Sequence, residues 1–155
     1  MKSLKTTMCA SLLLLSLIGC KKEEDKSSST NQNPTPTAAT FEWQENGGPK
    51  LTADSAFWTT GAWGTGIRAY KGGMENFFEI NWSGNNNSAI GEKVISSANY
   101  GFTFLKGGTS YSISTDQNLN ITAVETNTIT GNFNMNVTGG TISTISANFS
   151  ALPKK

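Results

Sequence analysis

Apolar and polar residues alternate along much of the chain after residue 40. In the clearest stretch, Ile129, Gly131, Phe133, Met135 and Val137 occupy every second position, and threonines and asparagines stand between them. A strand with one face in a core and the other in water has this alternation, which is typical of antiparallel sheets. We therefore predict a strand here, with Phe133 buried against a neighbouring strand around residues 119–123.

The same period of two predicts further strands, and no long stretch of this region has a helical period. Turn-forming runs separate these strands at residues 72–73, 84–87 and 139–140, and residues 106–109 predict a hairpin turn. We predict an all-β fold, a single antiparallel meander of about eight or nine strands that forms a sandwich or a flattened barrel. Its other alternating apolar sets are Phe78, Ile80 and Trp82; Tyr100, Phe102 and Phe104; Tyr111 and Ile113; Leu119, Ile121 and Ala123; and Ile145, Ala147 and Phe149.

The first 19 residues have the pattern of a secretory signal peptide. Lys2 and Lys5 give a basic start, and an apolar run of about a dozen residues follows, which is shorter than the roughly 20 that a transmembrane helix needs. The run ends in Leu17-Ile18-Gly19-Cys20, which resembles the bacterial lipobox. That resemblance implies a diacylglycerol on Cys20, and two or three acyl chains hold a protein firmly to a membrane.

A charged tract and a low-complexity linker follow Cys20. Residues 21–25 are Lys-Lys-Glu-Glu-Asp and resemble the export signal that sends lipoproteins of the Bacteroidota to the cell surface, although such runs also occur as plain solvated tethers. Residues 26–40 are rich in Ser, Thr, Asn and Pro and have little to bury. We therefore expect a signal peptide at 1–19, a lipidated tether at 20–40 and a β-domain at 41–155, anchored in the outer membrane on the cell surface or on its periplasmic face.

The composition excludes several kinds of chemistry. The chain has 12 basic and 11 acidic residues, and 7 and 8 of these lie in residues 41–155, so a nucleic-acid partner is not expected. The chain has no histidine, and its two cysteines are Cys9, in the predicted signal peptide, and Cys20. The usual general base, transition-metal ligands and thiol nucleophile are thus missing, and we expect no enzyme activity, no metal and no cofactor. Asp116 in a polar loop is better explained by a turn than by calcium binding.

Aromatic residues near a Gly/Thr loop are the candidates for ligand binding. Trp58, Trp63 and Tyr70, with Arg68 beside them, would hold sugar rings or apolar ligands if their rings are exposed, whereas small β-domains also use tryptophan to fill the core. Two functions stay open: a noncatalytic module that binds a glycan or other ligand, and a structural or envelope-interaction protein without a small-molecule site.

Asp54-Ser55-Ala56 resembles an acceptor for bacterial O-glycosylation, which makes Ser55 a candidate for modification.

Several short motifs are spread over the predicted β-domain. They are Phe41-Glu42-Trp43, Asn46-Gly47-Gly48 and Ala147-Asn148-Phe149, with residues 51–56, 106–111 and 129–133. Together they resemble a group of small Bacteroidota lipoproteins that contain a domain of unknown function. The resemblance covers most of residues 41–153 and implies a location and a β-fold, but no activity. Asn148 stands where the resemblance leads us to expect glycine, which leaves the predicted fold unchanged.

Overall fold

The computed structural model describes residues 38–62, 64–83, 89–98 and 101–155. Strands, turns and loops make up these residues, as the period-two alternation predicts. The strands are β1 (Thr40–Glu45), β2 (Leu51–Thr52), β3 (Ser55–Gly61), β4 (Gly64–Lys71), β5 (Asn76–Trp82), β6 (Gly91–Ile95), β7 (Phe102–Lys106), β8 (Thr109–Ser112), β9 (Gln117–Val124), β10 (Thr128–Asn136) and β11 (Thr144–Pro153).

The strands form two antiparallel sheets. A six-stranded sheet has the order β2-β1-β11-β10-β9-β6, and a five-stranded sheet has the order β3-β4-β5-β7-β8. Six of the ten consecutive pairs among the described strands are hydrogen-bonded neighbours, as in a meander. The chain passes from one sheet to the other after β2, β5, β6 and β8, so that β1 pairs with β11 and β6 pairs with β9.

Tight turns join neighbouring strands where the glycines predict them. Gly107 and Gly108 connect β7 to β8 with φ values of 53° and 83°, and Lys106 pairs with Thr109 across the turn. Two consecutive residues at positive φ suit the right-handed twist of a two-residue hairpin, and glycine adopts them without steric cost. The predicted hairpin at residues 106–109 is therefore confirmed.

The two sheets pack face to face around an aromatic core. The ring of Phe41 on β1 lies 5.2 Å from that of Phe78 on β5, and the ring of Trp43 lies 5.1 Å from the same Phe78 ring. Phe133 on β10 is 4% exposed, pairs with Leu119 on β9, and lies 6.1 Å from Phe102 of the other sheet. The predicted burial of Phe133 is thus confirmed.

The architecture is a sandwich, because each sheet keeps two edge strands and no pairing closes them into a barrel. The described residues hold eleven strands rather than about eight or nine. The difference comes partly from β2, whose two residues are too short to show any alternation. Several predicted features lie outside the described residues. They are the signal peptide, Cys20, the charged tract at 21–25, the turn at 84–87, Trp63 and Tyr100.

Candidate functional site

The outer face of the five-stranded sheet brings together aromatic and polar side chains from three strands. Strand register fixes which residues share this face, since residues directly opposite each other point to the same side. Tyr70 on β4 pairs with Ser55 on β3 and with Phe77 on β5. Arg68, two residues before Tyr70, pairs with Phe57 and with Glu79 on the same two strands. Their alternate neighbours on β4, Ile67 and Ala69, are fully buried, so the face of Arg68 and Tyr70 is the outer one.

Three aromatic rings form a row across this face. The Tyr70 ring lies 6.1 Å from Phe57 and 5.0 Å from Phe77, with planes inclined by only 24° and 31°. All three side chains are half-buried, so part of each ring is open to solvent. The Lys155 Nζ lies 4.4 Å from the centre of the Phe57 ring and ends the row at the β3 edge. We call Phe57, Tyr70 and Phe77 the aromatic row.

A polar cleft of about 350 Å³ adjoins the aromatic row. Its floor is Gly66, which stands between Thr59 on β3 and Asn81 on β5 and has no side chain to fill the space. A Cβ at Gly66 would collide with the Oδ1 of Asn81, so any larger residue here would require the Asn81 side chain to move. Arg68 and Glu79 line the cleft on the side of the aromatic row.

Arg68 and Glu79 hold each other in place across β4 and β5. The Arg68 Nη2 donates to the Glu79 Oε1 at 2.8 Å, and the Nε donates to the same oxygen at 3.3 Å. The two side chains are 45% and 30% exposed, so both charges remain in contact with water. The pair makes the cleft neutral overall while leaving further hydrogen-bonding positions on the guanidinium and the carboxylate.

The structure separates the three predicted ligand residues. Tyr70 lies in the aromatic row, whereas Trp58 is only 4% exposed and belongs to the core. The Trp58 Nε1 donates to the Asn127 carbonyl at 3.4 Å, and Lys154 covers its ring with an Nζ 5.1 Å from the centre. The prediction that Trp58 binds a ligand is therefore corrected, because β3 turns this residue inward. Trp63 lies outside the described residues.

Sequence reasoning missed Phe77, Glu79 and Asn81 as members of this site. All three alternate with the buried Phe78, Ile80 and Trp82 on β5, so the sequence places them on an outer face. The sequence does not show that β4 pairs with β5, and this pairing puts Phe77 beside Tyr70 and Glu79 beside Arg68. Without the strand pairing, these residues could not be assigned to one site.

Ser55 is exposed at the start of β3, directly opposite Tyr70. The neighbouring Asp54 carboxylate accepts a hydrogen bond from the Gly72 backbone N at 2.7 Å, which ties the start of β3 to the turn after β4. Ser55 therefore lies on the same face of the sheet as Tyr70 and is accessible to solvent.

Asp116 has a structural role in the described residues. Its Oδ1 accepts from the backbone N of Ser97 at 2.8 Å and from the Ser97 Oγ at 3.0 Å, and these bonds lower the pKa of Asp116. Across the described ranges, no group of three or more Asp, Glu, Cys or His side chains is placed to hold a metal ion.

The chain matches no known protein-family model, no curated protein and no solved structure. Among the residues that the structure describes, no helix is long and apolar enough to cross a membrane.

Proposed function

We propose that this protein is a noncatalytic, lipid-anchored binding module that holds a glycan on the outer face of its five-stranded sheet. The observation that carries the proposal is the position of the aromatic row beside the neutral cleft on the same face of the sheet: Arg68 and Glu79, which line the cleft with Asn81 and Gly66, are two residues from Tyr70 and Phe77 on their strands. An apolar surface beside a few convergent polar groups is the usual composition of a small-molecule site.

The chemistry of a sugar ring fits this arrangement. One face of a pyranose is covered by C–H groups, which pack on an aromatic ring at little entropic cost because Tyr70 already has ring neighbours on both sides. The ring hydroxyls need both donors and acceptors, which Arg68 and Glu79 supply. Since these two charges are paired, the cleft favours a neutral sugar over a strongly charged ligand.

Binding of a glycan array to the unlipidated chain beginning at residue 21 tests the proposal. We expect Tyr70→Ala to weaken binding by at least about 1 kcal/mol, roughly fivefold, because the packing surface for the sugar is removed. Ser110→Ala is the matched control, since Ser110 is exposed on β8 of the same sheet and pairs with Leu105, away from the cleft. Equal affinities of Tyr70→Ala and the control would refute the proposed site.

The location follows from the N-terminal motifs. We propose that Cys20 carries the lipid, that the protein resides in the outer membrane, and that residues 21–25 direct it to the cell surface. We also propose that the chain belongs to the Bacteroidota lipoprotein group that its motifs resemble, and that it has no nucleic-acid partner. The Asp54-Ser55-Ala56 motif and the exposure of Ser55 support O-glycosylation of Ser55 as an additional proposal, to be tested by mass spectrometry of the native protein; an unmodified Ser55 peptide would reject it.

A structural or envelope-interaction protein is the second candidate. The outer face of the six-stranded sheet favours it, because that face presents Asn, Ser and Thr side chains over several strands. Such a protein would bind its partner independently of Tyr70, so the Tyr70→Ala variant separates the two functions.

A further inference from the structure

The turn that follows β1 contains the one Asn-Gly pair of the sequence, Asn46-Gly47. Such a pair can lose ammonia without an enzyme, because the backbone nitrogen of the glycine can attack the side-chain amide carbon of the asparagine and close a five-membered ring. Glycine favours this attack, since it has no Cβ to obstruct the approach and leaves the backbone free to rotate. Both residues are exposed, so solvent reaches them. In an unfolded chain this pair would therefore react.

The fold holds the Asn46 side chain at both ends of its amide. Its Oδ1 accepts from the backbone N of Ser143 at 2.8 Å, from the Ser143 Oγ at 3.1 Å and from the backbone N of Thr144 at 3.1 Å. Its Nδ2 donates to the Thr141 carbonyl at 3.2 Å. These four hydrogen bonds tie the amide to the loop that leads into β11 and to the first residue of that strand.

Backbone contacts hold the same turn in place. The Asn46 N donates to the Thr144 carbonyl at 3.0 Å, and the Gly48 N donates to the Glu45 carbonyl at 2.8 Å. Closing the ring draws the amide carbon onto the Gly47 nitrogen and makes that carbon tetrahedral, so the amide cannot keep its four bonds to the loop. The reaction therefore requires a local opening at this end of the sheet.

From these contacts we propose that Asn46 is a site of spontaneous deamidation, which the folded turn protects and which reacts when the pairing of β1 with β11 opens. In the first step a bond forms between the Gly47 N and the Asn46 Cγ. The bond from Cγ to Nδ2 breaks, and Nδ2 leaves as ammonia with the proton of the Gly47 amide. In the second step water opens the ring at one of its two carbonyl carbons. The products are aspartate and isoaspartate, and water is the only reactant added.

The reaction removes the contacts that delayed it. An aspartate at position 46 has no N–H to donate and places a second oxygen against the Thr141 carbonyl. An isoaspartate adds a methylene to the main chain and carries its carboxylate on Cα, which displaces the oxygens from the N–H groups of Ser143 and Thr144. Either product weakens the end of the β1–β11 ladder, so a reacted chain opens more readily. The site thus records, irreversibly, the time that the chain has spent open.

Incubation of the unlipidated chain beginning at residue 21 in mildly alkaline buffer, with and without denaturing guanidinium chloride, tests the inference. Mass spectrometry of proteolytic peptides measures how fast the NH2 group of Asn46 is replaced by OH. We expect the folded chain to react at least about tenfold more slowly than the unfolded chain, which corresponds to about 1.4 kcal/mol of opening free energy. Equal rates in the two conditions, or no reaction at Asn46 in the unfolded chain, would overturn the inference.

Ser143→Ala isolates the contribution of the side-chain hydrogen bonds. It removes the Oγ donor to Asn46 and keeps the backbone donor, so the folded variant should react about threefold faster and the unfolded variant at an unchanged rate. Ser146→Ala is the matched control, because Ser146 lies further along β11, opposite Gln44. It should react at the wild-type rate in both conditions. If folded Ser143→Ala reacts no faster than this control, the side-chain bonds do not protect Asn46 and the inference fails.

The purified deamidated chain tests the irreversible step. Its guanidinium denaturation midpoint should be lower than that of the unreacted chain, whereas equal midpoints would refute the weakening of the β1–β11 ladder. Tyr70→Ala should deamidate at the wild-type rate, since Tyr70 lies on the other sheet and does not pair with the turn at Asn46. Failure of this inference therefore leaves the proposed glycan site untouched, and loss of glycan binding leaves this inference untouched.

Discussion

Single side chains connect the two sheets, and Phe133 is the clearest example. It projects from the middle of β10, is 4% exposed, and lies 6.3 Å from the Phe41 ring of its own sheet and 6.1 Å from the Phe102 ring of the opposite sheet. Asn134, the next residue, points to solvent. Adjacent positions on one strand therefore differ in their contribution to stability.

We expect Phe133→Ala to destabilise the domain by about 3–5 kcal/mol, because truncation leaves a cavity between the sheets. That is a large share of the roughly 5–15 kcal/mol that stabilises a typical domain. Asn134→Ala is the control and should change stability by no more than about 0.5 kcal/mol. Urea denaturation of the two variants measures the difference. Similar midpoints would mean that Phe133 does not contribute to the core as its contacts indicate.

Asp116 makes stability depend on pH. Hydrogen bonds from Ser97 favour the carboxylate in the folded state, so the pKa of Asp116 lies below its ordinary value of 3.8. A lowered folded pKa contributes stability that is present above the unfolded pKa and is lost as the pH falls through the folded pKa. Asp116→Asn should therefore reduce stability at neutral pH and shrink the difference from the wild type below about pH 4.

Denaturation midpoints of Asp116→Asn measured from neutral to acidic pH check this. Ser97→Ala removes one of the donors, so it should act in the same direction and add little to Asp116→Asn in the double variant. A pH-independent difference between Asp116→Asn and wild type would show that the charge of Asp116 does not matter.

Among the elements, the pairing of β1 with β11 joins the start of the domain to its end. Six residue pairs from Thr40 to Glu45 make this ladder, and Asn46 extends it beyond the last pair. The Asn46 Oδ1 accepts from the backbone N of Ser143 at 2.8 Å and of Thr144 at 3.1 Å, while its Nδ2 donates to the Thr141 carbonyl at 3.2 Å. One side chain therefore fixes the loop that leads into β11.

Replacement of Asn46 should destabilise the end of the sheet where β1 pairs with the start of β11. Asn46 has a φ of 50°, which asparagine tolerates better than alanine. We expect Asn46→Ala to cost about 1–3 kcal/mol, from lost hydrogen bonds and from backbone strain. Asn46→Gly removes the bonds without the strain, so it should be less destabilising than Asn46→Ala. Amide hydrogen exchange at Ser143 and Thr144 should accelerate in both; unchanged protection there would contradict the role of this side chain.

For the molecule as a whole, the proposed anchor at Cys20 would decide where the proposed binding site acts. Metabolic labelling of cells with a clickable fatty acid should tag the wild type and leave Cys20→Ser unlabelled, because the thiol that receives the lipid is gone. Persistent label on Cys20→Ser would reject the anchor. Alanine in place of residues 22–25 should abolish digestion by protease added to intact cells, whereas unchanged digestion would count against a surface signal in that tract.

The sequence predicts the strands that alternate clearly, β5 and β7 to β11, with their buried faces and the turn between β7 and β8, because these depend on local patterns. A period of two identifies the buried set from Ile129 to Val137, and the Gly107-Gly108 pair identifies a hairpin. The absence of histidine likewise limits the chemistry whichever fold the chain adopts. The strands and turns each involve residues close together in the chain.

Only the tertiary structure decides which strands are neighbours. Backbone hydrogen bonds are the same for every possible partner strand, so no local pattern reveals that β1 pairs with β11 or that Glu79 faces Arg68. For the same reason the aromatic row and the cleft at Gly66 could not be predicted, since each combines side chains from three strands. Trp58 and Tyr70 illustrate the limit: both are aromatic residues in alternating strands, and sheet packing places one ring in the core and the other on the surface.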